Sequence, residues 1–387
     1  RTEVIFYEDF IGKNGISAFY QLLEEDIVRE KISLLLLDIS SSFIDPFSIY
    51  NLKQKYGFMV VLLALDDEFK FEGLSSSLAT IADLVLTYDC VSVDRYRQSG
   101  VNAHFLPPPV EMSNEFSVNQ EGYKHKVSFV GRIAADKGLR VVYRDYLDHP
   151  DHDFNVTWMG DAGKKGSSYL SRSEMFSMFN DSLINLNFTD IVTYTNRDDP
   201  LFKRIRGFKF RPFEIAAAAG FCLSEFSIGL EKCFRDGEEI VFYRNKEELV
   251  DKINYYLSRP DEAKKIAQAG QKKVRENYSS EIIAKKFEEL VNESLSTIGE
   301  DLFKETQKPE VSKLFAINFV SEIVVNSFTF LTSFKIILFF RELIFLLRFL
   351  SRISLTFGLG STIKLTIIIA YRVCKMLISS MINRLRT

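Results

Sequence analysis

Phe58-Met59-Val60-Val61-Leu62-Leu63-Ala64-Leu65 is apolar at every position and runs into Asp66-Asp67-Glu68. A strand with one face in water alternates polar and apolar residues, whereas a strand covered on both faces does not. The run therefore predicts a strand of a parallel sheet with helices on either side. Working outward, residues 32–39 form a second such run, Leu84–Thr87 and 103–106 continue the series, and 3–7 open it. Helix-sized stretches reaching about Glu30 and spanning Pro46–Tyr56 lie between them, an order that specifies a doubly wound α/β domain.

Pro107-Pro108-Pro109 and the polar residues 111–126 break both periodicities, as an interdomain connection does. A second α/β series follows. Its expected strands are 127–130, 155–159, 183–188, 221–224 and 240–243; its helices are 173–180, 212–219, Lys246–Leu257, 261–277 and 279–295. The expected fold is α/β: two tandem Rossmann-like doubly wound domains, over 1–115 and 116–297, then a linker at 298–312 and a hydrophobic, basic helical tail at 313–387. Ligands of open α/β sheets bind beyond the carboxyl ends of the strands, so a cleft faced by both sheets is the expected site.

The 387 residues carry a net charge of −3, unevenly spread. Residues 310–387 hold three acids against ten Lys or Arg, a net of +7, which leaves −10 on the rest. An acidic body gives nucleic acid no electrostatic footing, and the tail is too aliphatic for a solvated nucleic-acid arm. Cys90, Cys222, Cys233 and Cys374 form no C-x-x-C pair, so reduced thiols in a cytoplasmic protein are expected. Residues 1–30 lack the apolar run and cleavage site of a secretory signal, and the chain opens on Arg1, so the true N-terminus is expected upstream.

Two constellations carry chemistry. Val130-Gly131-Arg132-Ile133, followed by Ala134-Ala135-Asp136-Lys137-Gly138, stands where a strand turns into a helix. Glycine lets backbone amides approach an anion, a helix start adds a positive dipole end, and Arg132 and Lys137 can straddle a diphosphate. A turn with solvated charges is the competing reading. In Phe210-Arg211-Pro212-Phe213-Glu214, Pro212 fits a first helical turn and places Glu214 in that turn. Glu214 is either a helix-starting acid stabilised by free amides or a carboxylate for a ribose diol.

From about Lys126 to Leu290 the chain resembles the donor-binding half of group 1 glycosyltransferases of the GT-B architecture, particularly their spore-maturation-protein-like branch. Arg211–Glu225, 236–243 and the closing helices 247–257 and 260–278 carry the resemblance. It implies that Arg132 and Lys137 bind the diphosphate of a nucleotide sugar and that Glu214 binds its ribose, with Gly131, Lys209 and Arg211 completing the substrate contacts. The wider group often has a second acid eight positions before the ribose glutamate; here Arg206 stands there, and Lys209 or the 207–208 amides are the candidates to replace it.

Asp66 or Asp67, after the first-quoted strand, is expected to reach the cleft, where a carboxylate can orient or deprotonate an acceptor hydroxyl; the alternative is an acid cluster that starts a helix. Tyr88-Asp89 has the same placement. Asp151-His152-Asp153 is the only Asp-x-Asp triplet and, beside Pro150, reads as a polar turn, so no metal and no cofactor is expected to be required. No G-x-S-x-G, Walker loop or G-x-G-x-x-G is present. The expected function is transfer of a sugar from a nucleotide sugar to a glycan or lipid-linked acceptor; a noncatalytic sugar-nucleotide or glycan-binding scaffold is the alternative. In the tail, Arg341, Arg348 and Arg352 share one helical face amid Leu and Phe, which predicts a helix lying on a membrane surface through 313–387; a tilted span through 353–371 and a helical subdomain packing on the body or on another copy are the alternatives.

Overall fold

The computed structural model describes residues 4–39, 41–112, 116–119, 122–133, 139–160, 170–189, 210–298, 308–333 and 335–358. Two compact units divide the chain. The first joins Arg1–Leu86, Asp94–His104 and Val291–Thr387; the second joins Thr87–Val93 and Phe105–Leu290. In chain order the elements are α1 (Tyr7–Asn14), α2 (Ile16–Glu30), β1 (Leu34–Ile39), α3 (Pro46–Tyr56), β2 (Met59–Ala64), α4 (Asp67–Lys70), a π turn (Phe71–Ser75), α5 (Ser76–Ala79), β3 (Leu84–Thr87), α6 (Cys90–Gln98) and β4 (Ala103–Phe105). They continue with β5 (His125–Val130), α7 (Leu139–Leu147), β6 (Val156–Met159), α8 (Arg172–Asn180), β7 (Ser182–Asn187), α9 (Arg211–Ala217), β8 (Cys222–Glu225), α10 (Leu230–Cys233), β9 (Val241–Tyr243), α11 (Lys246–Leu257), α12 (Pro260–Asn277) and α13 (Ser280–Ile298). The last two are α14 (Lys313–Thr332) and α15 (Ile336–Phe357).

The first sheet has the order β1-β2-β3-β4, and β1 runs parallel to β2 with Leu34 opposite Met59. Met59 through Leu62 are fully buried, which is why that stretch carries no polar alternation. Lys53 of α3 is also buried; its ammonium lies 2.7 Å from Asp83, whose other oxygen accepts from the Val60 backbone N–H. A buried charge with a partner and a further hydrogen bond ties α3 to the sheet without leaving an unpaired ion. The strand expected at 3–7 does not form over its described residues. Val4 and Phe6 are exposed and Tyr7 starts α1, where Glu8 and Asp9 suit the positive end of the helix.

The second sheet, in the order β6-β5-β7-β8-β9, is parallel throughout. Its strands match the expected runs to within a residue or two, and α11 matches in full. Inside it, Ser128 donates to Asn185, and Asn185 donates to the Phe179 carbonyl, so these buried polar groups are satisfied across β5, β7 and α8. A Cβ on Gly270 would stand 2.5 Å from the Glu239 carbonyl, so glycine there lets α12 close on its neighbours.

The reading of 313–387 as a separate tail is corrected over its described part. Phe315, Ala316, Phe319, Val320 and Ile323 of α14, with Leu346, Phe349 and Ile353 of α15, are buried in the same core as Val60, Leu62 and Leu78. The residues before them are anchored too: Ser312 accepts from the Phe315 N–H as a cap, and its own N–H donates to Ser77. A helix as apolar as α14 is stable in water when other elements cover it, and here the first unit covers it. Among the described residues no helix is long and apolar enough to cross a membrane. Residues 359–387 lie outside the described part.

Candidate functional site

Of the residues singled out in the second unit, Gly131 and Arg132 stand at the carboxyl end of β5, and Arg211 and Glu214 in the first turn of α9. Gly131 and Arg132 directly follow β5, and Arg132 is exposed. The Gly131 N–H donates to the Met159 carbonyl, and a Cβ on Gly160 (φ +81°) would lie 3.3 Å from the Gly131 nitrogen, so the loops after β5 and β6 touch. Lys137 lies outside the described residues, as do Arg206 and Lys209.

Arg140, on α7, was not among the sequence candidates. Its guanidinium donates to the Arg132 carbonyl at 3.1 Å and to the Phe188 carbonyl at 3.3 Å, which fixes the loop after β5 to the end of β7. Glu225, the last residue of β8, is buried and accepts from the Thr189 N–H (3.0 Å), the Thr189 hydroxyl (2.8 Å) and Tyr143 (3.2 Å). Tyr143 in turn stacks on Phe188. Of the two arginines, Arg132 is exposed and Arg140 holds the Arg132 carbonyl. In sequence the only sign of this is a second arginine eight positions after Arg132; its carbonyl partner on Phe188 is 48 residues distant.

Arg211 and Glu214 come together. Pro212 sits in the first turn of α9 as expected, and the Arg211 guanidinium lies 2.8 Å from the Glu214 carboxylate. Arg211 also packs over the Phe179 ring and touches the Met175 sulfur. Burial pulls its pKa below the usual arginine value and the Glu214 charge pushes it back. Phe213 between them is fully buried against Phe234 and Tyr278, which anchors α9. The Glu214 carboxylate, about a quarter exposed and bonded to Arg211 through one oxygen, has acceptor capacity to offer a diol.

The acids of the first unit separate into two roles. Asp67 is fully buried and accepts a 2.8 Å hydrogen bond from Tyr96, whose pKa burial and this carboxylate raise far above the phenol range. The expectation that Asp67 opens onto a cleft is therefore corrected: a side chain without solvent contact packs inside its own unit. Asp66 differs, being 40% exposed and 3.4 Å from Lys70. Asp89, which belongs to the second unit, is buried as the cap of α6, accepting from the Val91 and Ser92 N–H groups. Near Asp151 the chain forms a turn, and His152 stacks on Phe154. Among the described residues no group of three His, Cys, Asp or Glu is placed to hold a metal.

Residues 124–289, most of the second unit, match a family model described as glycosyl transferase-like. No curated protein matches the chain in sequence. Solved structures resemble it: sucrose-phosphate synthase from Thermosynechococcus elongatus at 11% identity, covering 76% of this chain and 81% of that one with a TM-score of 0.53. A glycosyltransferase from Rickettsia africae is similar at 14% identity over 76% and 84% of the two chains, TM-score 0.51. Anabaena HepE in complex with UDP-glucose is similar at 11% identity over 72% and 82%, TM-score 0.53. At such identities the likeness establishes the fold, the paired parallel α/β units of the GT-B type.

Proposed function

We propose that the protein is a sugar-nucleotide-dependent glycosyltransferase whose second unit binds the donor. The observation that carries this reading is the Arg211–Glu214 pair at the start of α9, in the same unit as an exposed Arg132 whose carbonyl is bonded by Arg140. Loss of a nucleoside diphosphate builds negative charge on the leaving oxygens, and cations fixed in advance stabilise it without reorganisation. Arg132 and Lys137 take that role, Glu214 takes the ribose, and Gly131, Lys209 and Arg211 complete donor recognition. The UDP-glucose bound by HepE supports a nucleoside diphosphate hexose as the donor class. Arg211–Glu225 and 236–243 support a place in the spore-maturation-protein-like branch.

The finer parts of the proposal are these. Transfer proceeds without a metal ion, because arginine and lysine supply the positive charge, and with retention at the anomeric carbon. The acceptor is a glycan or lipid-linked sugar of cell-surface polysaccharide assembly, met on the cytoplasmic face of a membrane. Asp66, exposed where Asp67 is not, is the first-unit acid proposed to contact the acceptor hydroxyl.

A panel of sugar nucleotides tested by thermal shift, then by hydrolysis and transfer, decides the reading. Stabilisation by one nucleotide sugar with turnover supports it. Binding without turnover on any acceptor supports the scaffold alternative, and no binding by any member of the panel sinks both. Proton NMR of the first-formed product reads stereochemistry: an inverted centre replaces retention and gives Asp66 the part of general base.

A further inference from the structure

We propose that the outward face of α15 is a docking surface for an anionic lipid bilayer, with the helix lying along the membrane. The rotation of α15 about its axis is fixed from inside the first unit. Leu346, Phe349 and Ile353 sit in the core, Glu342 bonds the start of α2, and the Arg352 guanidinium lies 3.2 Å from buried Asp45. Residues three and four apart share a helix face, so this setting turns Ile337, Phe340, Ile344 and Leu347 outward. They are 77%, 55%, 52% and 58% exposed.

Single exposed apolar side chains are ordinary on a soluble protein, but a stripe of large ones along three consecutive turns marks an interaction surface. Arg341 and Arg348, both exposed, flank the stripe, while the one acid of the helix, Glu342, points inward. Apolar stripe and flanking cations are the pattern of a helix at a lipid interface.

Charge selects the occupant. After Gly358 the chain continues for 29 residues with five Lys or Arg and no acid. If that segment covered α15, cations would face Arg341 and Arg348. A second copy docked by two-fold symmetry would set the same arginine-flanked patch against itself. Anionic headgroups neutralise both the flank of α15 and the basic residues that follow it. The surface thus differs from the one expected from sequence alone: Arg352 and Phe349 turn inward, and Ile337, Phe340, Ile344 and Leu347 meet the lipid.

The inference rests on the membrane location proposed above and is independent of the transfer chemistry. Its test is flotation of the full chain with phosphatidylcholine vesicles with and without phosphatidylglycerol. The compared variant carries Ile337→Ser, Phe340→Ser, Ile344→Ser and Leu347→Ser together, and its melting temperature is followed in parallel. The expected result is flotation of the parent protein with anionic vesicles only, and a drop of about tenfold or more in the variant at unchanged melting temperature. If that variant fails to fold, Arg341→Glu with Arg348→Glu probes the same face and is expected to lose binding. A variant that floats like the parent places attachment elsewhere in the chain and overturns the assignment of this face. Flotation by neither protein overturns the membrane location itself. A parent that is dimeric without lipid while the variant is monomeric shows that a second copy covers the stripe, which also overturns it.

Discussion

The carboxylate of Glu342, on α15, accepts a 2.7 Å hydrogen bond from the backbone N–H of Ile16, the first residue of α2, 326 positions earlier in the chain. The first N–H groups of a helix have no partner within it, and a carboxylate satisfies one of them at the positive end of the dipole. Gly15 makes room: a Cβ there would stand 2.7 Å from the Glu342 oxygen, and its φ is +86°. Glu342→Ala is expected to cost about 1–3 kcal/mol, because a buried donor loses its acceptor. Glu342→Gln keeps an acceptor oxygen and removes a charge that burial disfavours, so it should stay within about 1 kcal/mol of the parent. Urea denaturation of the two variants checks this, and equal stabilities would remove Glu342 as the pin of α15.

Glu322, on α14, gives the first unit a pH dependence. Burial pushes its carboxyl up to about 7; the Ser42 N–H and Lys70 pull it down, and Glu8 adds to the rise. A carboxyl whose folded value is raised binds its proton more tightly in the folded state. Its contribution is complete below the unfolded value near 4.5 and is lost as pH rises through about 7. Glu322→Gln, which stays neutral, is therefore expected to gain stability relative to the parent between pH 5 and pH 8. Melting temperatures of both proteins at several pH values measure the difference, and a constant offset would show that Glu322 does not titrate in this window.

Asp66 and Asp67 are adjacent yet should answer mutation in opposite ways. Asp67→Ala removes the carboxylate that accepts from the buried Tyr96 hydroxyl and is expected to destabilise by about 1–3 kcal/mol. Asp66→Asn touches an exposed side chain with a surface ion pair and should leave stability within about 0.5 kcal/mol. If Asp66 meets the acceptor, its substitution lowers turnover at unchanged melting temperature. Loss of stability in the Asp66 variant, with normal turnover, would assign it to the fold instead.

How far the sequence could be read depended on how local each determinant is. The unbroken apolar run announces β2 because burial on both faces removes alternation within the run itself. Pro212 and Glu214 were legible because a helix start is a matter of four residues. The short run at 3–7 misled, since its composition holds nothing about whether a neighbouring strand is there to pair with. For α15, spacing showed an amphipathic, basic helix but not which side the first unit takes, because the residues that settle it, Ile16 and Asp45, lie some 300 positions earlier. Arg140 escaped for the same reason: its role is a pair of hydrogen bonds to carbonyls, and carbonyls leave no mark in a sequence.

The donor site gives the most direct test of function. Arg132 is exposed, and substitutions of exposed charges usually cost little, so Arg132→Ala with Lys137→Ala should change stability by less than about 0.5 kcal/mol. Transfer should fall by about 10²-fold or more, because charge on the departing diphosphate would form without its cations. Arg140→Gln acts one step back. It frees the Arg132 and Phe188 carbonyls, so turnover should fall less steeply, while a conservative Arg140→Lys recovers part of the loss. If Glu214 binds the ribose as proposed, Glu214→Gln removes an acceptor engaged in ground state and transition state alike, so it should raise the KM for the nucleotide sugar and leave kcat nearly intact. Steady-state kinetics on the active donor from the panel separates the three patterns. Unchanged transfer in the Arg132 and Lys137 double variant would rule out these cations as the diphosphate site, whatever the fold, since a charge built up on the leaving group has to be met by some fixed positive group within reach.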